Sequence, residues 1–124
     1  MEAEYRRSII YEKSMAFSVR IVRLYRHLSI EKREFVISKQ LLRSGTAIGA
    51  NISEAQFAIS RNVFLNKMDI SLKECAETLY WLDLLHRTDY LSSNQYDSIH
   101  SDCKELLRML SSITKSTRDT PRNQ

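Results

Sequence analysis

Residues 41–55 read LLRSGTAIGANISEA and hold both glycines of a 124-residue chain, Gly45 and Gly49, four positions apart. Glycines that cradle a phosphate break a strand-to-helix junction and are followed by a lysine and a hydroxyl residue. Here Leu41 and Leu42 precede them and Ala50 follows the second. At about 100° per residue, Leu41, Leu42, Gly45, Ile48, Gly49, Ile52 and Ala55 fall on one face, so the helical period runs straight through both glycines. A glycine inside a helix costs about 1 kcal/mol relative to alanine, and close approach of a neighbouring helix offsets that cost. The stretch is therefore predicted to be a helix packed tightly on another at Gly45 and Gly49, and not a nucleotide loop.

The surrounding sequence extends this reading. Two glycines and one proline, Pro121, leave little turn punctuation, and the length suits one domain with its own core. An all-α chain is expected. The first helix is predicted over about 5–28, with Ile10, Phe17, Ile21, Leu24 and Leu28 on the core side and Lys13, Arg20, Arg23, Arg26 and His27 opposite. Ser29 is the expected N-cap of the second helix, whose apolar stripe starts at Phe35. Ser60 caps a third helix over about 61–88, and Ser92 with Gln95 has capping-box spacing before a fourth that ends near Thr114. Residues 1–114 then form a single domain, an antiparallel up-down-up-down four-helix bundle, and residues 115–124 a polar flexible tail.

The central helices carry more apolar surface than such a bundle needs. Opposite the stripe of Phe64, Met68, Leu72, Cys75, Leu79 and Leu82 stand Val63, Ile70, Trp81 and Leu84, and the second helix presents Ala47, Ala50, Asn51 and Ala58 away from its core side. A subunit interface is expected at Ala47, Ala50, Asn51, Glu54, Val63, Ile70, Glu77, Trp81 and Leu84.

The strings QLLRSGTAIGANISEAQ (40–56) and SLKECAETLYWLDLL (71–85), with the trailing Tyr90-Leu91, resemble the small bacterial four helix bundle protein family. That family is associated with intervening sequences of 23S ribosomal RNA genes and is related to the accessory variability proteins of diversity-generating retroelements. The resemblance implies a ring-like homopentamer and no catalytic activity. The retroelement relatives it points to are basic pentamers that bind nucleic acid and a reverse transcriptase, so RNA, DNA and such an RNA-associated protein enter as partners through the resemblance alone. Where relatives often carry alanine and arginine after SLKE, this chain has Cys75 and Ala76.

The chain offers few groups spaced for catalysis or metal binding. Asp83 to His86 and Asp97 to His100 are Asp-x-x-His strings, but Asp97 is out of phase with the core stripe of its helix, and the two histidines stand at different heights. No metal or other cofactor is expected. Cys75 falls on the core stripe, where a reactive thiol is not expected, so the chain is read as non-enzymatic. Arg43, Asn51, Glu54, Glu74 and Glu77 could form a polar site between subunits or ion pairs that set helix register. The two cysteines show no CxxC pattern and no hydrophobic leader opens the chain, which makes a reducing cytoplasm the expected compartment.

The formal charge is +4 and its excess lies in the first sixty residues. Lys13, Arg20, Arg23, Arg26, Lys39 and Arg43 make the candidate nucleic-acid-binding patch. The function expected is a homo-oligomeric scaffold that binds RNA or an RNA–protein complex through repeated basic patches, with a structural or protein-binding oligomer as the alternative.

Overall fold

The computed structural model describes the backbone of residues 2–121 and the side chains of residues 9–121. It contains four long helices: α1 (Glu2–Arg26), α2 (Ile37–Ala55), α3 (Arg61–Arg87) and α4 (Ser93–Asp119), with a short π-helical turn, His27–Glu31, continuing α1. Among the described residues there is no strand. No helix is long and apolar enough to cross a membrane among them either.

Cross-helix contacts fix the directions. Gly45 and Gly49 of α2 face Ile21 and then Ser14 and Ser18 of α1, so the two run antiparallel. Arg43 meets Glu74 and Glu77 while Glu54 meets Lys67, which reverses α3 on α2. His86 lies beside Ser93 and Asp69 beside Arg118, reversing α4 on α3. Lys13 to Glu105 and Arg20 to Asp102 close the ring of four between α1 and α4. The α2–α3 packing is the most extensive of the four. Ile10, Phe17, Ile21, Leu28, Leu41, Ile48, Ile52, Met68, Leu82, Leu106 and Leu110 fill the centre.

Two helix starts follow the expected chemistry. Ser60 Oγ accepts from the Val63 N–H at 3.2 Å, and Ser92 and Gln95 form both halves of a capping box. The start of α2 differs. Ser29 is no N-cap: it lies in the π-helical turn and its hydroxyl donates to the Tyr25 carbonyl at 2.8 Å. Glu34 supplies the cap instead, its buried carboxylate accepting from the N–H groups of Val36, Ile37 and Ser38 at 2.6–3.1 Å. Phe35, expected on the α2 stripe, lies ahead of the helix and is 46% exposed. A side chain two places before the N-cap residue Val36, accepting from three backbone donors at once, overrides a simple serine signal.

The far end of the molecule also differs. α4 passes the expected stop at Thr114 and reaches Asp119, because Ile113 and Thr114 are buried and Arg61 donates to the carbonyls of Thr117, Arg118 and Thr120. Residues 115–119 thus belong to the bundle and not to a tail. Residues 122–124 of the expected tail lie outside the described residues.

Candidate nucleic-acid interface

The predicted patch divides in two. Lys13 lies 3.3 Å from Glu105, and Arg20 lies 2.5 Å from Asp102 with a second bond to Ser98 Oγ at 2.9 Å. Arg43 spans Glu74, at 3.3 Å, and Glu77, whose other partner is the Trp81 indole N–H at 3.0 Å. Arg43 and the Trp81 indole N–H, in that order, hold the Glu77 carboxyl below its ordinary range against a smaller opposing effect of burial. The Lys13–Glu105 and Arg20–Asp102 pairs, half-exposed on both sides, add little stability, whereas Glu74 is buried beside Arg43. Together these carboxylates neutralise three of the six expected cations locally. Arg43, Glu74 and Glu77 form an intrachain network between α2 and α3, while Glu54 pairs with Lys67 at 2.7 Å and Asn51 donates to the Ala47 carbonyl at 2.8 Å.

Arg23, Arg26 and Lys39 are different. They are exposed and make no ion pair among the described residues. Lys32 and Arg33, absent from the predicted patch, share that condition and sit between them on the α1–α2 turn. The carboxylates of this segment are committed: Glu31 to His27, and Glu34 to the start of α2. Burial raises the Glu34 pKa, but the N–H groups of Ile37, Ser38 and Val36 and the Ser38 hydroxyl outweigh it and hold the group below its ordinary value. A helix started at Ser29 would place Lys32 and Arg33 about 100° apart around its axis. The string EKREF (31–35), taken as a turn, places them together.

The turn has an unusual backbone. Arg33 stands at φ 55°, the left-handed conformation that closes helices and is most often given to glycine. After it the Glu34 N–H reaches back to the Leu28 carbonyl at 2.9 Å. Asp89, at φ 68°, plays the same part after α3, where an aspartate is better tolerated than an arginine. The Arg33 guanidinium lies 5.6 Å from the centre of the Phe35 ring. Ile30 and Val36 on the same turn are 70% and 75% exposed.

Elsewhere the site candidates resolve simply. Gly45 is buried, and a Cβ there would stand 2.8–3.0 Å from the Ile21 side chain. Gly49 borders a groove of about 260 Å³ between α1 and α2, with the Ser14 and Ser18 hydroxyls 3.2 and 3.3 Å from where its Cβ would be. Of the expected subunit face, Ala50 and Val63 are exposed, and Ala47, Ile70 and Leu84 are half-buried. Trp81 packs partly on the chain's own core. His86 and His100 do not converge on a metal position but flank the Tyr96 ring, at 4.3 and 4.9 Å between centroids. Among the described residues no three of His, Cys, Asp and Glu come together as metal ligands. Cys75 and Cys103 are buried free thiols, and contact with Cys103, followed by burial, pushes the Cys75 thiol far above its ordinary range.

A bundle of four antiparallel helices with a cationic hairpin end is the class defined by this geometry. The 23S rRNA-intervening sequence protein family matches residues 6–112, and the chain belongs to that family. It is similar to the crystal structure of a protein with unknown function from the S23 ribosomal protein family of Bacteroides thetaiotaomicron, with 54% identity and a TM-score of 0.88 over 89% of this chain and 98% of that one. No curated protein matches the chain.

Proposed function

We propose that the protein is a non-enzymatic, cytoplasmic scaffold that assembles as a homo-oligomer, with a pentameric ring as the expected state, and binds RNA through phosphate contacts. The observation that carries this reading is the group of exposed cations Arg23, Arg26, Lys32, Arg33 and Lys39 at one end of the bundle, none of which forms an ion pair among the described residues. The family's association with 23S rRNA intervening sequences favours RNA over other polyanions. Assembly would repeat the group around a ring, so that weak phosphate contacts add on one polynucleotide. The subunit contact is assigned to the face bearing Ala47, Ala50, Val63, Ile70 and Leu84. A reverse transcriptase or another RNA-associated protein would be recruited as a further partner of the assembled ring.

Titrating the protein with RNA at increasing salt tests the binding. Affinity should fall steeply, and neutralising Arg23, Lys32 and Lys39 together should flatten the dependence by about one unit of slope for each phosphate no longer bound. Absence of salt-sensitive binding at low ionic strength would favour a structural or protein-binding oligomer. Light scattering tests assembly: Ala50→Arg, at an exposed position, should dissociate the oligomer while leaving the helical circular dichroism intact. A wild-type monomer at tens of micromolar would rule out the subunit face.

A further inference from the structure

We infer that the α1–α2 turn holds an unpaired nucleotide of single-stranded RNA, with its base stacked on Phe35 and its flanking phosphates on Lys32, Arg33 and their neighbours Arg26 and Lys39. The inference rests on the RNA-binding reading and adds the form of RNA recognised. Phe35 gives the turn a half-exposed aromatic ring among cations. A ring with charged groups around it is the arrangement that binds single strands, because stacking needs a base free of its own duplex while the phosphates need only positive charge. The Arg33 guanidinium lies over the ring, 5.6 Å from its centre, and a base stacking on that face would displace it toward a flanking phosphate.

The backbone supports the assignment. At φ 55° a glycine would relieve Arg33 of steric conflict, yet the position carries an arginine whose side chain makes no ion pair among the described residues. The two carboxylates nearby are hydrogen-bonded elsewhere, one to His27 and one to backbone N–H groups, and neither forms an ion pair with these cations among the described residues. Exposed Ile30 and Val36 widen the apolar part of the surface. A second copy of the same turn is a poor occupant, because it would bring like charges together.

Fluorescence anisotropy tests this with labelled single-stranded oligoadenylate, an RNA duplex and single-stranded DNA, each across a range of salt. Phe35→Ala should weaken single-strand binding by about five-fold to a hundred-fold, leave duplex binding alone and keep the salt slope, because stacking and charge are separable. Phe35→Trp should restore the affinity and show fluorescence quenching by the single strand. Arg33→Gly should raise the thermal midpoint and weaken binding together. Equal weakening for the single-stranded DNA would extend the site to either sugar without altering the stacking. Unchanged single-strand affinity in Phe35→Ala, with salt-sensitive wild-type binding intact, overturns the stacking inference and spares the electrostatic reading. No salt-sensitive binding by the wild type to any of the three probes overturns both. If Phe35→Ala dissociates the oligomer, the turn is a subunit contact and the inference is likewise wrong.

Discussion

Along the α2–α3 seam Arg43 meets Glu74 and Glu77, Glu54 meets Lys67, and the buried hydroxyls of Ser71 and Thr78 bond to the Ile48 carbonyl and to Ser44. At the α1–α2 turn Arg23, Arg26, Lys32, Arg33 and Lys39 have no carboxylate partner among the described residues, and Ile30 and Val36 face solvent. The same kinds of side chain serve the fold in one place and leave it nearly untouched in the other. Polar groups buried without partners are costly, so the seam satisfies its own. Cations and apolar groups left outside are free for a partner. The difference predicts where substitutions register in stability and where they register in binding.

The largest stability effect should come from Gly45→Leu, which forces side-chain atoms into the space held by Ile21 and should cost about 3 kcal/mol by thermal or urea denaturation. Its sequence twin gives the contrast. Gly49→Ala meets the Ser14 and Ser18 hydroxyls at 3.2 and 3.3 Å and the Ser14 Cβ at 3.5 Å, and a gain in helix propensity of up to about 1 kcal/mol offsets that crowding, so its loss should be much smaller than that of Gly45→Leu. Equal losses at the two glycines would show that the α1–α2 contact is not ordered as described.

Thr78→Val comes next. The hydroxyl lies 2.9 Å from Ser44 Oγ and 2.7 Å from the Glu74 carbonyl, and its replacement by a methyl leaves Ser44 buried without that partner. A loss of about 2 kcal/mol is expected in denaturant melts. A neutral result would show that the seam holds together by shape alone.

Glu34→Ala belongs to both regions, since it removes the α2 cap from within the turn. About 1 kcal/mol should be lost at neutral pH. Because the folded carboxyl titrates below its ordinary value, its contribution is full above the unfolded pKa and disappears as pH falls through the folded one. The gap between wild type and Glu34→Gln should therefore close in acid, and a gap that widens there would reverse the assignment. The smallest effects should be at the exposed residues of the turn: Ile30→Ser and Val36→Ser should each move stability by no more than about 0.5 kcal/mol. Larger losses by calorimetry would mean that the turn supports the fold after all.

Periodicity made most of the bundle legible. The stripes containing Ile10, Phe17 and Ile21, or Ile48 and Ile52, needed only an angle per residue, and Ser60 and Ser92 announced their helices because a side-chain oxygen near a helix start has few other uses. Ser29 misled because a serine hydroxyl can equally bond back to a carbonyl one turn earlier, as it does to Tyr25. That one choice turned Phe35 inward and scattered Lys32 and Arg33. Trp81 showed a related limit: its place on a second stripe said nothing of its hydrogen bond to Glu77 or its partial packing on the core.

The amino-acid sequence by itself determined the helices, the apolar faces that join them and the excess of positive charge in the first half of the chain, because each follows from residue type and short spacing. Only the tertiary structure decided which cations keep their charge free. Lys13 and Arg20 are neutralised from α4 and Arg43 from α3, and these carboxylates are 31 to 92 positions away along the chain. Charge is a property of the residue, but the field it leaves outside the molecule depends on what the packing sets beside it.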